Sequence, residues 1–273
     1  MSENLKETSA DFDGVVKRGK KKKVRNVIVA LLLVVAIIGT GLYFCFTKLF
    51  FVKNLAVAEE SSEFVGAFPY SEEEMLEGLG IQKGIGLYSF DAVLAQKNAK
   101  YNLSYIKDIK ISRRWPSTVV AKTTLEVPSY YVSVANDLFI VSDSLKVLEK
   151  TDNSEKIELY SLMFLDCNAV HSCIVGEKLG IPSDIENLIY DLEENMTEYA
   201  VKNEVSSINV SDKFNISLTY GSRYVVKLGD SKSLGTKLEF MKRIIEDRTD
   251  EFVGGMIDVS DEKNREAIYK KFS

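Results

Sequence analysis

VIVALLLVVAIIGTGLYFCF, from Val27 to Phe46, decides how the rest of this chain must be read. Its twenty residues carry no charge, and thirteen of them are Val, Ile, Leu or Phe. At ~1.5 Å per helical residue the run is about 30 Å long, the thickness of a hydrocarbon core. Each such side chain favours insertion by about 0.3–0.6 kcal/mol near the bilayer centre. A helix buried in a soluble protein is rarely apolar all round for this length. The stretch therefore reads as a membrane-spanning helix.

The flanks give it a direction. Lys17, Arg18, Lys20, Lys21, Lys22, Lys23 and Arg25 crowd its N-terminal side, while Lys48 and Lys53 are the nearest basic residues beyond it. The positive-inside bias places the N-terminus in the cytoplasm and the bulk outside, a single-pass type II arrangement at the cell membrane. A nucleic-acid patch or nuclear signal is the weaker reading of such a run beside a membrane span. A cleaved signal peptide has an apolar core of about 7–15 residues. Ala56-Val57-Ala58 resembles a cleavage site but starts ten residues past the run, so an uncleaved anchor is expected.

Composition fits an ordinary globular exterior. The chain has 273 residues, 45% apolar and 27% charged, enough for one large domain or two modest ones. From Leu49 to Ser273 there are 26 Lys and Arg against 36 Asp and Glu. An acidic exterior argues against nucleic acid or anionic headgroups as partners of the folded part.

Motifs for catalysis are sparse. With one histidine, His171, HExxH cannot occur, and no GxSxG, Walker-type or dinucleotide glycine fingerprint is present. Forty acidic residues leave no carboxylate pair standing out. No catalytic residue, metal ligand or cofactor is assigned, and the chain is not expected to be an enzyme. Cys167 and Cys173 sit in CNAVHSC, which fits either a disulfide closing a hairpin or two unpaired thiols. A zinc site would need a fourth ligand that is not evident.

The exterior divides into two patterns. Phe51, Val52, Leu55 and Val57 suggest a strand. Ser71-Glu72-Glu73-Glu74 matches a capping box before Met75, Leu76 and Leu79. A second helix begins near Asp91, with Ala92, Leu94, Ala95 and Ala99 as small or apolar positions. Strands follow around Ile109–Ile111 and Val119–Leu125, joined by Arg113-Arg114-Trp115-Pro116-Ser117, whose indole is expected to cover the small core. From Pro128 the chain reads mostly as strand, interrupted by helices at Asp184–Ala200 and Leu234–Asp247 with apolar stripes at helical spacing. Gly221-Ser222 signals a type II′ hairpin. Met256–Val259 and Ala267–Tyr269 are expected to finish the sheet.

The predicted fold class is α+β: one N-terminal transmembrane helix, a small βααββ domain, and a mixed β-sheet domain with two or more helices. The expected divisions are a basic tail at 1–26, the span at 27–46, the first domain at 49–127 and the second at 128–270.

In this order the motifs resemble those of the bacterial FtsQ/DivIB cell-division family. The likeness rests on FVKNLAV at Phe51–Val57, KGIGL at Lys83–Leu87, IKISRRWPST at Ile109–Thr118, VKLGD at Val226–Asp230 and MIDV at Met256–Val259. The Arg-Arg-Trp-Pro stretch is the most specific of them. The resemblance implies that 49–127 is a POTRA domain and 128–270 the family's β-domain. It departs at Glu126-Val127-Pro128, which lacks the family's arginine, and at Asp143–Lys146, which lacks a turn glycine.

The resemblance also implies a role. Such proteins are non-enzymatic divisome components at the septum that bind FtsB/DivIC-like and FtsL-like single-pass proteins and help control septal peptidoglycan synthesis. By that analogy the binding edge comprises Glu266, Ala267, Ile268 and Tyr269 beside Ile257, Asp258 and Val259. Competing readings are a membrane-anchored cell-envelope enzyme, or another extracytoplasmic type II interaction protein. In a eukaryotic surface protein, Asn102, Asn195, Asn209 and Asn215 would be glycan acceptors. An outer-membrane assembly factor would need barrel strands that this chain is too short to supply.

Overall fold

The computed structural model describes residues 25–44, 49–60, 64–247, 254–261 and 268–271. Helix α1, Arg25–Phe44, is long and apolar enough to cross a membrane, and none of it is buried against protein. Of the seven basic residues expected to orient it, only Arg25 lies among the described residues, as do all but Cys45 and Phe46 of the expected span.

The chain divides into two compact units, one of Met1–Ala56, Gln82–Asp91 and Ser112–Val120, the other of Val57–Ile81, Ala92–Ile111 and Ala121–Ser273. Strands β1 (Asn54–Glu59), β2 (Ile106–Arg114) and β3 (Thr118–Leu125) form a sheet in the order β1-β3-β2. Helices α2 (Glu72–Leu79) and α3 (Ala92–Asn102) complete the expected βααββ order.

In the first unit, backbone bonds knit three segments together. Leu87 N–H donates to Phe50 O at 2.8 Å, Val52 N–H to Ile85 O at 2.9 Å, and Lys53 N–H to Ser117 O at 2.9 Å. Arg113 fixes the middle segment by donating to Leu87 O at 2.9 Å and Phe90 O at 2.8 Å. Val52, Leu87 and Val119 fill the interior. Trp115 does not, contrary to the sequence expectation: it is 66% exposed. A turn bounded by two strands places its side chain beyond the sheet, where the small core does not reach.

In the second unit, α2 begins as its sequence dictates. Ser71 Oγ accepts from Glu74 N–H, and Glu74 Oε2 accepts from Ser71 N–H at 2.7 Å, the reciprocal capping box. Helix α3 buries Ala95 and Ala99 and leaves Leu94 55% exposed. Leu94 precedes Ala95 and so projects about 100° around the helix from it.

The same unit holds a nine-stranded sheet among the described residues, ordered β12-β11-β10-β9-β8-β7-β4-β5-β6. Its strands are β4 (Pro128–Val134), β5 (Asp137–Ser142), β6 (Val147–Thr151), β7 (Met163–Asp166), β8 (Val205–Asn209), β9 (Ile216–Tyr220), β10 (Tyr224–Gly229), β11 (Gly255–Asp258) and β12 (Ile268–Lys271). Helix α4 is Ser154–Leu159, α5 is Ser183–Glu198 and α6 is Leu234–Glu246. Strands β7 and β8 are parallel, as are β10 and β11, and parallel neighbours require crossovers, which α5 and α6 supply. Ile185, Leu188, Ile189, Leu192 and Met196 of α5 and Leu234, Leu238 and Met241 of α6 bury the predicted stripes in one core with the sheet. Tyr105, Ile140, Leu148 and Leu162 form a second cluster, with Phe64, Tyr70 and Tyr160 packed against it.

One turn differs from expectation, and another departs from the family pattern. Arg223 N–H donates to Tyr220 O, with Gly221 at φ +56° and Ser222 at +54°, so both central residues are left-handed. That is the type I′ pattern rather than II′. At Asp143–Lys146, Leu145 takes φ +62° in place of a glycine, and its fully buried side chain holds it there.

Candidate partner-binding edge of the large sheet

Among the described residues, β12 lies at the outer end of the nine-stranded sheet. It pairs antiparallel with β11, setting Tyr269 opposite Ile257 and Ile268 opposite Asp258. The structure thus brings together Ile257, Asp258, Val259, Ile268 and Tyr269; Glu266 and Ala267 lie outside the described residues.

Their environments differ sharply. Ile257 and Val259 are buried in the main core and Tyr269 packs against it. Burial of aliphatic side chains like these contributes about 1.5–3 kcal/mol each, so they hold β11 in place whatever else they do. Asp258 lies on the opposite face and accepts from the N–H and Oγ of Ser260, at 3.1 and 2.6 Å, closing the end of the strand. Gly255 permits the pairing: a Cβ there would lie 2.5 Å from Tyr269 Cε2 and 2.7 Å from Lys270 O. Ile268 is 67% exposed. An isoleucine exposed on an edge strand offers apolar surface beside outward backbone donors and acceptors.

The opposite edge is arranged differently. Val147 N–H donates to Glu177 O and Gly176 N–H to Val147 O, both at 2.8 Å, while Leu179 N–H donates to Leu145 O at 2.7 Å. Residues 176–179 thereby occupy the start of β6; among the described residues, β12 has a strand neighbour on one side only, β11. Sequence reasoning ended the last strand at Tyr269; it continues through Lys270 and Lys271. Lysine on an edge strand discourages self-pairing, and the side chain of Lys270 is exposed.

The remaining chemistry is plain. Cys167 and Cys173 are free thiols, both partly buried, and burial pushes the Cys173 thiol up to about 11. Among the described residues, no group of three His, Cys, Asp or Glu side chains could hold a metal ion. A pocket beside α6 is lined by Thr236, Lys237, Glu239, Phe240, Arg243, Val259 and Asp261.

Residues 63–122 match the family model described as POTRA domain, FtsQ-type. The chain is 26% identical over 253 residues to cell division protein DivIB of Clostridium botulinum, covering 90% of this chain and 91% of that one. It is 27% identical over 145 residues to DivIB of Clostridium tetani, about half of each chain (52% and 53%). Cell division protein FtsQ of Corynebacterium glutamicum is 23% identical over 228 residues, covering 82% of this chain and 91% of its own. An apolar N-terminal helix, a POTRA domain and a mixed sheet with several helices define a membrane-anchored POTRA protein. Over most of its length the chain is similar to cell division proteins named DivIB and FtsQ, and it carries a POTRA domain of the FtsQ type.

Proposed function

We propose that this chain is a non-enzymatic divisome scaffold that binds FtsB/DivIC-like and FtsL-like single-pass proteins along β12. Through them it helps control septal peptidoglycan synthesis. Likeness to named cell division proteins supports the divisome role. The observation that carries the binding reading is the contrast between edges: among the described residues β12 ends the sheet with Ile268 exposed, whereas residues 176–179 bond to the start of β6. A strand added to β12 would gain backbone hydrogen bonds from the ladder and specificity from alternate side chains. The exposed side chain of Lys270 favours an acidic residue on that strand.

In this reading the tail at 1–26 stays in the cytoplasm, 27–46 spans the membrane, and the domains at 49–127 and 128–270 work outside at the septum. The test is affinity purification of the full chain from cross-linked dividing cells. Recovery of two small single-pass division proteins with septal synthesis enzymes is expected. Their absence, with the bait expressed and membrane-bound, would sink the proposal.

A further inference from the structure

Trp115 is the single tryptophan of the chain, and its exposure calls for a physical reason. Its ring meets Phe50 edge to face with centroids 5.0 Å apart. Its Nε1–H donates to the hydroxyl of Tyr88, a residue itself 55% exposed. The Arg113 guanidinium lies 5.5 Å over the Tyr88 ring. Three separate segments thus present aromatic rings at one place within a single compact unit, the unit that also contains α1.

The covalent chain bounds where that place is. Phe50 is four residues beyond Phe46, where the apolar run ends. At ~3.6 Å per residue at most, the two Cα atoms lie within about 14 Å of each other. The headgroup layer on each side of a bilayer is about 5–7 Å deep. Indole and phenol rings, apolar with a polar tip, concentrate at that depth.

Charge supplies a second, independent observation. The exterior carries 26 basic against 36 acidic residues, yet segments 49–56, 82–91 and 112–120 hold Lys53, Lys83, Arg113 and Arg114 against Asp91 alone. Lys53, Lys83 and Arg114 are exposed. The charge of the whole exterior argued against anionic headgroups, but the unit that contains α1 carries a basic excess in its exterior segments.

We infer that Phe50, Tyr88 and Trp115 rest in the headgroup layer of the bilayer that α1 spans, with Lys53, Lys83 and Arg114 against anionic phospholipid headgroups. The first exterior segments are then held to the membrane plane instead of swinging on a free tether. This inference rests on α1 spanning the bilayer and is independent of what β12 binds.

A single tryptophan makes it directly measurable. The full-length chain is reconstituted in vesicles of phosphatidylcholine with phosphatidylglycerol, their acyl chains either plain or brominated near the headgroup. Trp115 emission is expected to fall at least about twofold in the brominated lipid, as for an interfacial indole. High salt, or the double change Lys83→Glu with Arg114→Glu, should restore most of the emission, since exposed charges are screened. Equal emission in plain and brominated lipid, with the chain resisting carbonate extraction, overturns the docking and leaves the anchor standing. Release by carbonate overturns both. Quenching that survives high salt in the native chain overturns the headgroup contact.

Discussion

Lys237, only 2% exposed, donates from its Nζ to the carbonyl oxygen of Asp230 at 2.8 Å and to its Oδ1 at 2.9 Å. Asp230 directly follows β10 and Lys237 lies in the first turn of α6, so the pair fixes the start of the crossover that delivers β11. Lys237→Met keeps the alkyl stem and loses both bonds. Hydrogen bonds from a charged donor contribute about 1.5–3 kcal/mol, so thermal unfolding should fall by roughly 4–8 °C. A melting curve unchanged by Lys237→Met would show that the pair contributes nothing net.

The same pair sets a pH dependence. The hydrogen bond from Lys237, aided by Lys232 N–H and both lysine charges, holds the Asp230 carboxyl below its usual range. A depressed carboxylate contributes stability above the unfolded value of about 3.9, and loses it as pH falls through the lower folded value. Asp230→Asn keeps an acceptor without the charge. The native chain should therefore be the more stable of the two at neutral pH, and the difference should shrink toward pH 2–3. A constant difference across that range, by chemical denaturation, would contradict this.

How much of this was legible beforehand follows from how local each signal is. Ser71 and Glu74 wrote their capping box three residues apart, and the α5 stripe from Ile185 to Met196 buried as its periodicity required. Helix α4 was missed because SEKIEL buries nothing and spans six residues, too few for a stripe. Strand β7, MFLD, is too short to show alternation. The position of β12 was reached through resemblance; its place depends on non-local pairings, above all the parallel β10–β11 contact, which no window of sequence contains. Trp115 was misread because an aromatic beside a proline turn signals a core only where a core lies beneath it.

That correction has its own test. Trp115→Ala removes a side chain that is 66% exposed, so it should cost less than about 1 kcal/mol in the detergent-solubilised chain. Leu87→Ala, at a fully buried position of the same unit, should cost about 2–5 kcal/mol. Equal losses, measured by thermal unfolding, would place the indole in a core after all.

At the edge, successive residues of β12 send their N–H groups to opposite sides. Proline at Ile268 and proline at Tyr269 therefore delete donors on opposite sides, one toward β11 and one toward a partner strand. One of the two should keep a native circular dichroism spectrum and weaken partner binding at least about tenfold, or 1.4 kcal/mol. Ile268→Val, which keeps the backbone, should change binding little. Two folded proline variants that both bind normally would remove β12 from the interface.

Orientation can be read with thiol chemistry, because the two native cysteines among the described residues, Cys167 and Cys173, are poor nucleophiles. Burial raises the thiols of both Cys167 and Cys173, the latter to about 11. Only the thiolate attacks a maleimide, and an exposed cysteine titrates near 8.5, so at pH 7 Cys173 should label about a hundredfold more slowly. A cysteine introduced at exposed Ser154 therefore stands out over this background. With a membrane-impermeant maleimide on intact cells, or on spheroplasts where an outer membrane is present, Ser154→Cys should label and Ser9→Cys should not. Permeabilisation should bring Ser9→Cys up to the same extent. Labelling of Ser9→Cys alone in intact cells would invert the topology, and with it the placement of β12 outside the membrane. Raising the pH supplies the internal check. Cys173 labelling should climb about tenfold per pH unit toward 11, while Ser154→Cys levels off near 8.5. Parallel curves for the two would mean that Cys173 is not shielded as the fold requires.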